Sequence, residues 1–204
     1  MYIVSIGGNI GCGKTTIVEK LQDMSPKTVF PEPIDKWGQW LQRFYKDPSK
    51  YAFPFQMKVL MDFLYFDKSH NHQVVVTERS PLDSLFVFSK TLLENGSLTE
   101  MEYTLLKEYV DKIGWVPHNY IYLRADSRVC VERIKNRSRE CEDKIDPSYI
   151  QKIHEAYEDM DLSVYGTKVH VVDANRDPES VFSDVLEILQ TECNFPFYAE
   201  KSFV

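Results

Sequence analysis

The sequence predicts an α/β fold, with a five-stranded parallel sheet carrying helices on both faces, and three observations lead there. Five short, continuous apolar runs, at 2–6, 28–30, 74–77, 120–123 and 169–172, are separated by stretches of helical length. Strands buried on both faces have this pattern, whereas half-exposed strands alternate. Directly behind the first run stands Gly8-Asn9-Ile10-Gly11-Cys12-Gly13-Lys14-Thr15, which fits G-x-x-x-x-G-K-[ST] with a strand before it and a helix after it. The third observation is that polar residues follow the other runs: Glu32 to Trp37, Glu78-Arg79-Ser80, Arg124 and Asp173. Open parallel sheets gather ligands at the carboxyl ends of their strands, so these exits should crowd around the glycine-rich turn.

Taken in order, the first strand runs into a phosphate cradle. Backbone N–H groups in such a turn converge on one point, and the helix opening at Thr15 and Thr16 adds a positive dipole end. Gly8, Gly11 and Gly13 permit the close approach, Lys14 can reach the β- and γ-phosphates of a nucleotide, and the Thr15 hydroxyl can ligate Mg²⁺. Cys12 lies in this loop; either its thiol is activated by the helix terminus or it is a small filler. After the second strand comes an aromatic-rich segment that includes Trp37, Trp40, Phe44, Tyr45, Phe55 and Phe63, mostly core by composition with a share left for a pocket. Gln56 can read the hydrogen-bonding edge of a base, or it is an ordinary solvent-facing helical glutamine. The pair His70 and His72 reads as a surface turn before the third strand rather than a metal site. Between 132 and 144 the chain is densely charged. That stretch is either a solvated helix end or a mobile arginine flap closing over a phosphoryl group.

Length and composition narrow the functional class. A chain of 204 residues, 43% hydrophobic and 27% charged, is expected to form a single domain, 1–204. Its net charge of −7 argues against binding a nucleic acid polymer, which requires a basic face. The four cysteines have no C-x-x-C pairing and no zinc-like spacing, as expected of reduced thiols. With the first strand starting near residue 2, no targeting peptide is expected; with no run of about 18 apolar residues, no membrane span is expected either. A cytoplasmic location follows as an expectation.

The conjunction of Gly8–Thr15, Glu32-Pro33 with Trp37, Phe55-Gln56, Glu78-Arg79-Ser80 and the arginine-rich 133–142 stretch resembles the deoxynucleoside kinases, through about nine-tenths of the chain. The resemblance implies the P-loop kinase fold with an arginine-rich lid at about 133–144. It also implies transfer of the γ-phosphoryl of ATP, with Mg²⁺, to the 5′-hydroxyl of a deoxynucleoside. By the same likeness Glu32 is the general base, Glu78 and Thr15 organise Mg²⁺, and Arg79 binds near the 5′-oxygen and the phosphoryl group. Lys14, Arg133 and Arg137 act on the phosphoryl group, and Arg137, Arg139 and Asp173 contact the nucleotide donor together with the residues from Gly8 to Thr16. Tyr45 and Glu142 hold the sugar 3′-hydroxyl, although Cys141 replaces the first of two usual acids, so the register could slip to Glu140. Gln56 reads the base, Phe88 stacks beneath it, and Trp37 and Leu41 line the pocket. A homodimer and inhibition by a deoxynucleoside triphosphate complete what the resemblance implies.

For the base, the positions at which deoxycytidine-preferring relatives carry an arginine and an aspartate align with Phe63 and Ser84, and Val59 resembles the apolar lining of thymidine-accepting members. Loss of a charged pair that hydrogen-bonds one exocyclic group favours thymidine, then deoxycytidine, with purines third. A thymidylate kinase and an inactive nucleotide-binding regulator remain as alternatives. An acid at position 32 disfavours an anionic acceptor, and an intact phosphate loop disfavours a dead relative.

Overall fold

The structure is a computed structural model that describes residues 1–64, 74–137 and 145–195. The predicted lid residues Arg139, Glu140, Cys141 and Glu142, and the pair His70 and His72, lie outside the described residues.

Five strands form one parallel sheet in the order β2-β3-β1-β4-β5. They are β1 (Tyr2–Gly8), β2 (Val29–Phe30), β3 (Val74–Glu78), β4 (Asn119–Arg124) and β5 (Lys168–Asp173). Each coincides with a predicted apolar run to within a residue or two. The run at 169–172 departs from the prediction in burial: β5 is an edge strand, and Val169 and Val171 are exposed. Register pairs Ile6 with both Glu78 and Ile121, so the ends of β1, β3 and β4 finish side by side. The connection leaving β1 runs outward to β2, whereas the one leaving β3 crosses to β4 on the other side of β1. The crevice between β1 and β3 is thus the switch point at which such sheets bind ligands.

Alternation along the strands feeds two cores. Ile3, Val75, Tyr120 and Tyr122 face one side, packing against α2 (Ile34–Lys46), α3 (Pro48–Leu64), α6 (Glu100–Ile113) and α8 (Pro147–Glu158). Val4, Ile6, Val76, Ile121 and Leu123 face the other, under α1 (Lys14–Met24), α7 (Ser127–Arg137) and α9 (Pro178–Thr191). Helix α1 buries Lys14, Ile17, Val18 and Leu21, the three-and-four spacing of one helical face.

After β3 the chain enters α4 (Pro81–Asp83), which continues through a π-helical stretch (Ser84–Ser89) into α5 (Lys90–Glu94). The Asp83 carboxylate caps its start by accepting from the Ser80 amide and hydroxyl, with proline at the first turn. The wider π turn brings residues five apart to one side, and the hydroxyls of Ser84 and Ser89 accordingly meet the same atom, Gln56 Oε1, at 2.8 and 3.4 Å. No described helix is long and apolar enough to cross a membrane.

Candidate active site

Two adjoining cavities open at the carboxyl ends of the strands. The phosphate loop contributes to both. Gly8, Gly11 and Gly13 adopt φ of 143°, 82° and 108°, values that favour glycine. A Cβ at Gly11 would also lie 2.6 Å from the Cys130 carbonyl. Lys14 is buried and folds back over its own loop, donating to the carbonyls of Gly8 at 3.0 Å and Asn9 at 2.8 Å and contacting Cys12 Sγ at 3.7 Å. The amide of Asn9 is spent on the Ile150 carbonyl.

The exits of β2 and β3 meet this loop. Arg79, in the left-handed region at φ 59°, donates from Nη1 to Glu32 Oε2 at 2.6 Å and from Nη2 to the Gly8 carbonyl at 3.3 Å. The ion pair is enclosed, with the side chains of Arg79 and Glu32 only 10% and 4% exposed. The Arg79 guanidinium lies 4.7 Å from the centre of the Phe88 ring. Burial works against its charge, yet Glu32 beside it holds the group firmly protonated. Glu78 accepts from Thr15 Oγ1 at 3.0 Å and from the Glu32 amide at 3.3 Å. Burial, and then the charge of Glu32, push its carboxyl above the usual range, against the pull of Lys14 and Arg79.

The first cavity, about 740 Å³ including its mouth, runs from Ile10, Gly11, Lys14 and Thr15 past Glu32, Glu78 and Arg79 into an apolar slot. Trp37, Leu41, Tyr45, Gln56, Val59 and Phe88 line that slot, together with Ile34, Phe44, Phe55 and Tyr149. The second, about 850 Å³, lies behind the loop and is lined by Cys12, Gly13, Thr16, Arg133, Arg176 and neighbours; Arg137 borders both cavities.

The family model for deoxynucleoside kinases matches residues 4–194. The chain belongs to the deoxynucleoside kinase family. Among its relatives, protein 029R of Invertebrate iridescent virus 3 is 35% identical over 195 residues, covering 95% of this chain and 98% of that one. The thymidine kinase of Ictalurid herpesvirus 1 (strain Auburn) is 31% identical over 201 residues, covering 92% and 85%. The solved deoxyadenosine kinase from M. mycoides, with products dCMP and a flexible dCDP bound, superposes with a TM-score of 0.81 over 93% of this chain and 99% of that one, at 23% identity, and so shares the fold. Family membership makes this chain a phosphotransferase that acts on nucleosides.

Within this kinase site, several sequence expectations need correction. Phe63 and Ser84 do not line the cavity. Phe63 packs edge-on against Trp37 and Trp115, behind the slot, and its carbonyl accepts from the Trp115 indole at 2.9 Å. Ser84 meets the slot only through Gln56, whose Oε1 it holds. Asp173 faces neither cavity and instead accepts from Asn175 in the β5–α9 turn. Arg133 lines the second cavity, but its guanidinium donates to the carbonyls of Cys12, Ala174 and Arg176, tying the phosphate loop to that turn. Cys12 is buried with its sulfur against Lys14, the environment of a filler. Sequence reasoning missed Tyr149 and Arg176. Neither falls in a motif; only their places just before or after a strand or helix end hinted at the sheet's ligand edge.

Proposed function

We propose that this kinase transfers the γ-phosphoryl of ATP to the 5′-hydroxyl of a pyrimidine deoxynucleoside, thymidine ahead of deoxycytidine, giving the 5′-monophosphate. One observation carries the reading: a single cavity joins the phosphate loop to an apolar slot, with a carboxylate, Glu32, at the junction and a carboxamide, Gln56, in the slot. Phosphoryl transfer asks the protein mainly for positioning and charge, plus a group to take the acceptor's proton. Glu32 supplies that base; its pairing with Arg79 Nη1 at 2.6 Å keeps it aimed. Lys14, released from the carbonyls of Gly8 and Asn9, swings onto the donor phosphates, and Arg137 faces the same space from α7.

The groups around Thr15 suit Mg²⁺: its hydroxyl meets the Glu78 carboxylate at 3.0 Å, with the Glu32 carboxylate close enough to raise the Glu78 pKa after burial. Mg²⁺ usually keeps several waters and takes phosphate oxygens beside one or two protein ligands. When bound, the ion offsets charge on the phosphates. Thr15 and Glu78 would hold it.

Thymidine leads because Gln56 is the polar group aimed at the base, Trp37, Leu41, Val59 and Phe88 supply apolar contact, and the positions of the charged pair found in deoxycytidine-preferring relatives are held by the uncharged Phe63 and Ser84. Slots of this kind reject weakly, so deoxycytidine follows closely. The same reading includes Tyr45 at the sugar, a cytoplasmic homodimer, and inhibition by a deoxynucleoside triphosphate spanning slot and loop. A coupled ATP assay across the four deoxynucleosides and thymidine monophosphate tests it. Turnover highest with thymidine supports the proposal; a purine deoxynucleoside as best substrate overturns the base assignment, and turnover of the monophosphate alone overturns the acceptor.

A further inference from the structure

Behind Arg79 lies a buried polar network that the transfer step above leaves unused. Arg79 Nε donates to the Tyr157 hydroxyl at 3.2 Å, and that hydroxyl donates its own proton to Asp83 Oδ1 at 2.9 Å. Tyr120 donates to the same carboxylate oxygen. The other oxygen, Oδ2, accepts from the Ser80 amide at 2.8 Å and the Ser80 hydroxyl at 2.7 Å. Asp83, Ser80 and Tyr120 are fully buried, and Tyr157 nearly so. A phenol has one proton to give. Because Asp83 takes it, the oxygen's lone pairs are left facing Arg79, and the direction of the arginine's Nε–H is set by a carboxylate it does not touch.

The surroundings are built for this arrangement. A Cβ on Gly7 would lie 1.6 Å from the Tyr120 hydroxyl and 2.7 Å from Asp83 Oδ1, so β1 carries no side chain where the network passes. Burial pushes the Asp83 carboxyl up, while the Tyr120, Ser80 and Tyr157 donors and the nearby Arg79 charge hold it down, so four hydrogen bonds complete an anion's acceptor capacity. Tyr157 also stacks on Tyr122 at 5.5 Å. Its helix, α8, carries Tyr149 into the nucleoside slot, so one element both borders the substrate and steers the arginine.

We propose that Asp83 and Tyr157 are positioning residues for the kinase reaction: Asp83 orients the Tyr157 phenol, and the phenol fixes the rotation of the Arg79 guanidinium that faces the transferred phosphoryl group. The inference rests on the role given to Arg79 above. It does not depend on which base is preferred.

Tyr157→Phe and Tyr120→Phe provide the test, because each removes one hydroxyl donated to the same Asp83 oxygen while only Tyr157 touches Arg79. Both variants, with Arg79→Ala and the unaltered chain, are assayed for kcat and KM with the best deoxynucleoside, alongside thermal unfolding. Losing a hydrogen bond to a charged group that matters in the transition state lowers kcat about 10-fold or more. The expected result is that fall in Tyr157→Phe with KM for the nucleoside little changed. Tyr120→Phe should lose a similar amount of thermal stability and keep kcat within about 2-fold of the unaltered chain. Equal kcat in the two variants, at whatever stability, overturns the proposal. Full activity in Arg79→Ala overturns the role of Arg79 itself, a failure distinct from the first. Asp83→Asn supplies the second link: if it unfolds, the tyrosine pair still decides, and if it folds with unaltered kcat, Asp83 has no part in orienting the phenol.

Discussion

Glu32 is enclosed, paired with Arg79, and borders the cavity where a primary alcohol would meet a triphosphate. Replacing one carboxylate oxygen by an amide keeps the shape and removes the basicity. Glu32→Gln should therefore fold and bind thymidine with unaltered affinity by calorimetry, while kcat drops by about 10²–10⁴. Ser84 acts one step back. Its hydroxyl holds Gln56 Oε1 at 2.8 Å, so Ser84→Ala should free the carboxamide and raise KM for the nucleoside by about 5–20-fold with a smaller change in kcat, the pattern of lost binding common to ground and transition states. These two residues also mark what could be read from the chain alone. Glu32 was legible because its motif sits at a strand exit, where topology dictates proximity to the phosphate loop. The neighbours of Ser84 were not, since its contact with Gln56 depends on a local π turn that no spacing rule announces. Phe63 misled for a related reason: alignment placed it near the base, but Trp37 takes the wall position and leaves Phe63 behind it.

The elements were more legible than the side chains, because parallel strands buried on both faces write themselves as continuous apolar runs and the helices fall between them. The exception is instructive. Run 169–172 carries His170 at its second position, and β5 is an edge strand with Val169 and Val171 exposed, so that interruption was the available sign that this strand is not buried on both faces. Helix ends, by contrast, have local chemistry. Helix α6 starts at a reciprocal box in which Thr99 Oγ1 accepts from the Glu102 amide at 3.2 Å and Glu102 Oε2 accepts from the Thr99 amide at 2.8 Å. This box is remote from both cavities. Thr99→Ala should cost about 1 kcal/mol, or about 2–4 °C in Tm for a chain of this size, with kcat and KM unmoved. A change in kinetics there would mean that α6 is coupled to the site through the α3–α6 packing.

At the scale of the whole molecule, the site stores unfavourable charge that a substrate complex is built to relieve. Burial and the charge of Glu32 raise the Glu78 pKa, and burial raises that of Asp83, whereas hydrogen bonds lower those of Asp146, Asp161 and Asp177 despite a small opposing desolvation. The signs are opposite. A carboxyl with a raised folded pKa binds its proton more tightly in the native state, so between the unfolded value of about 4.3 and the raised one stability falls as pH rises. The depressed carboxyls stabilise above about 4 and lose that contribution as pH falls through their folded values. Removing the charge at position 78 isolates the first effect. Glu78→Gln should unfold at a higher temperature than the unaltered chain at pH 8, by a few degrees, with the gap narrowing toward pH 4.5 as Glu78 protonates in both states. Adding Mg²⁺ and ATP at pH 8 should raise the Tm of the unaltered chain more than that of Glu78→Gln, and turnover of the variant should collapse. A Tm difference that grows toward acid, or an equal response to Mg²⁺ in both proteins, would show that Glu78 is not the carboxylate held in reserve for the cation, and that the cost of burying it is met by Lys14 and Arg79 alone.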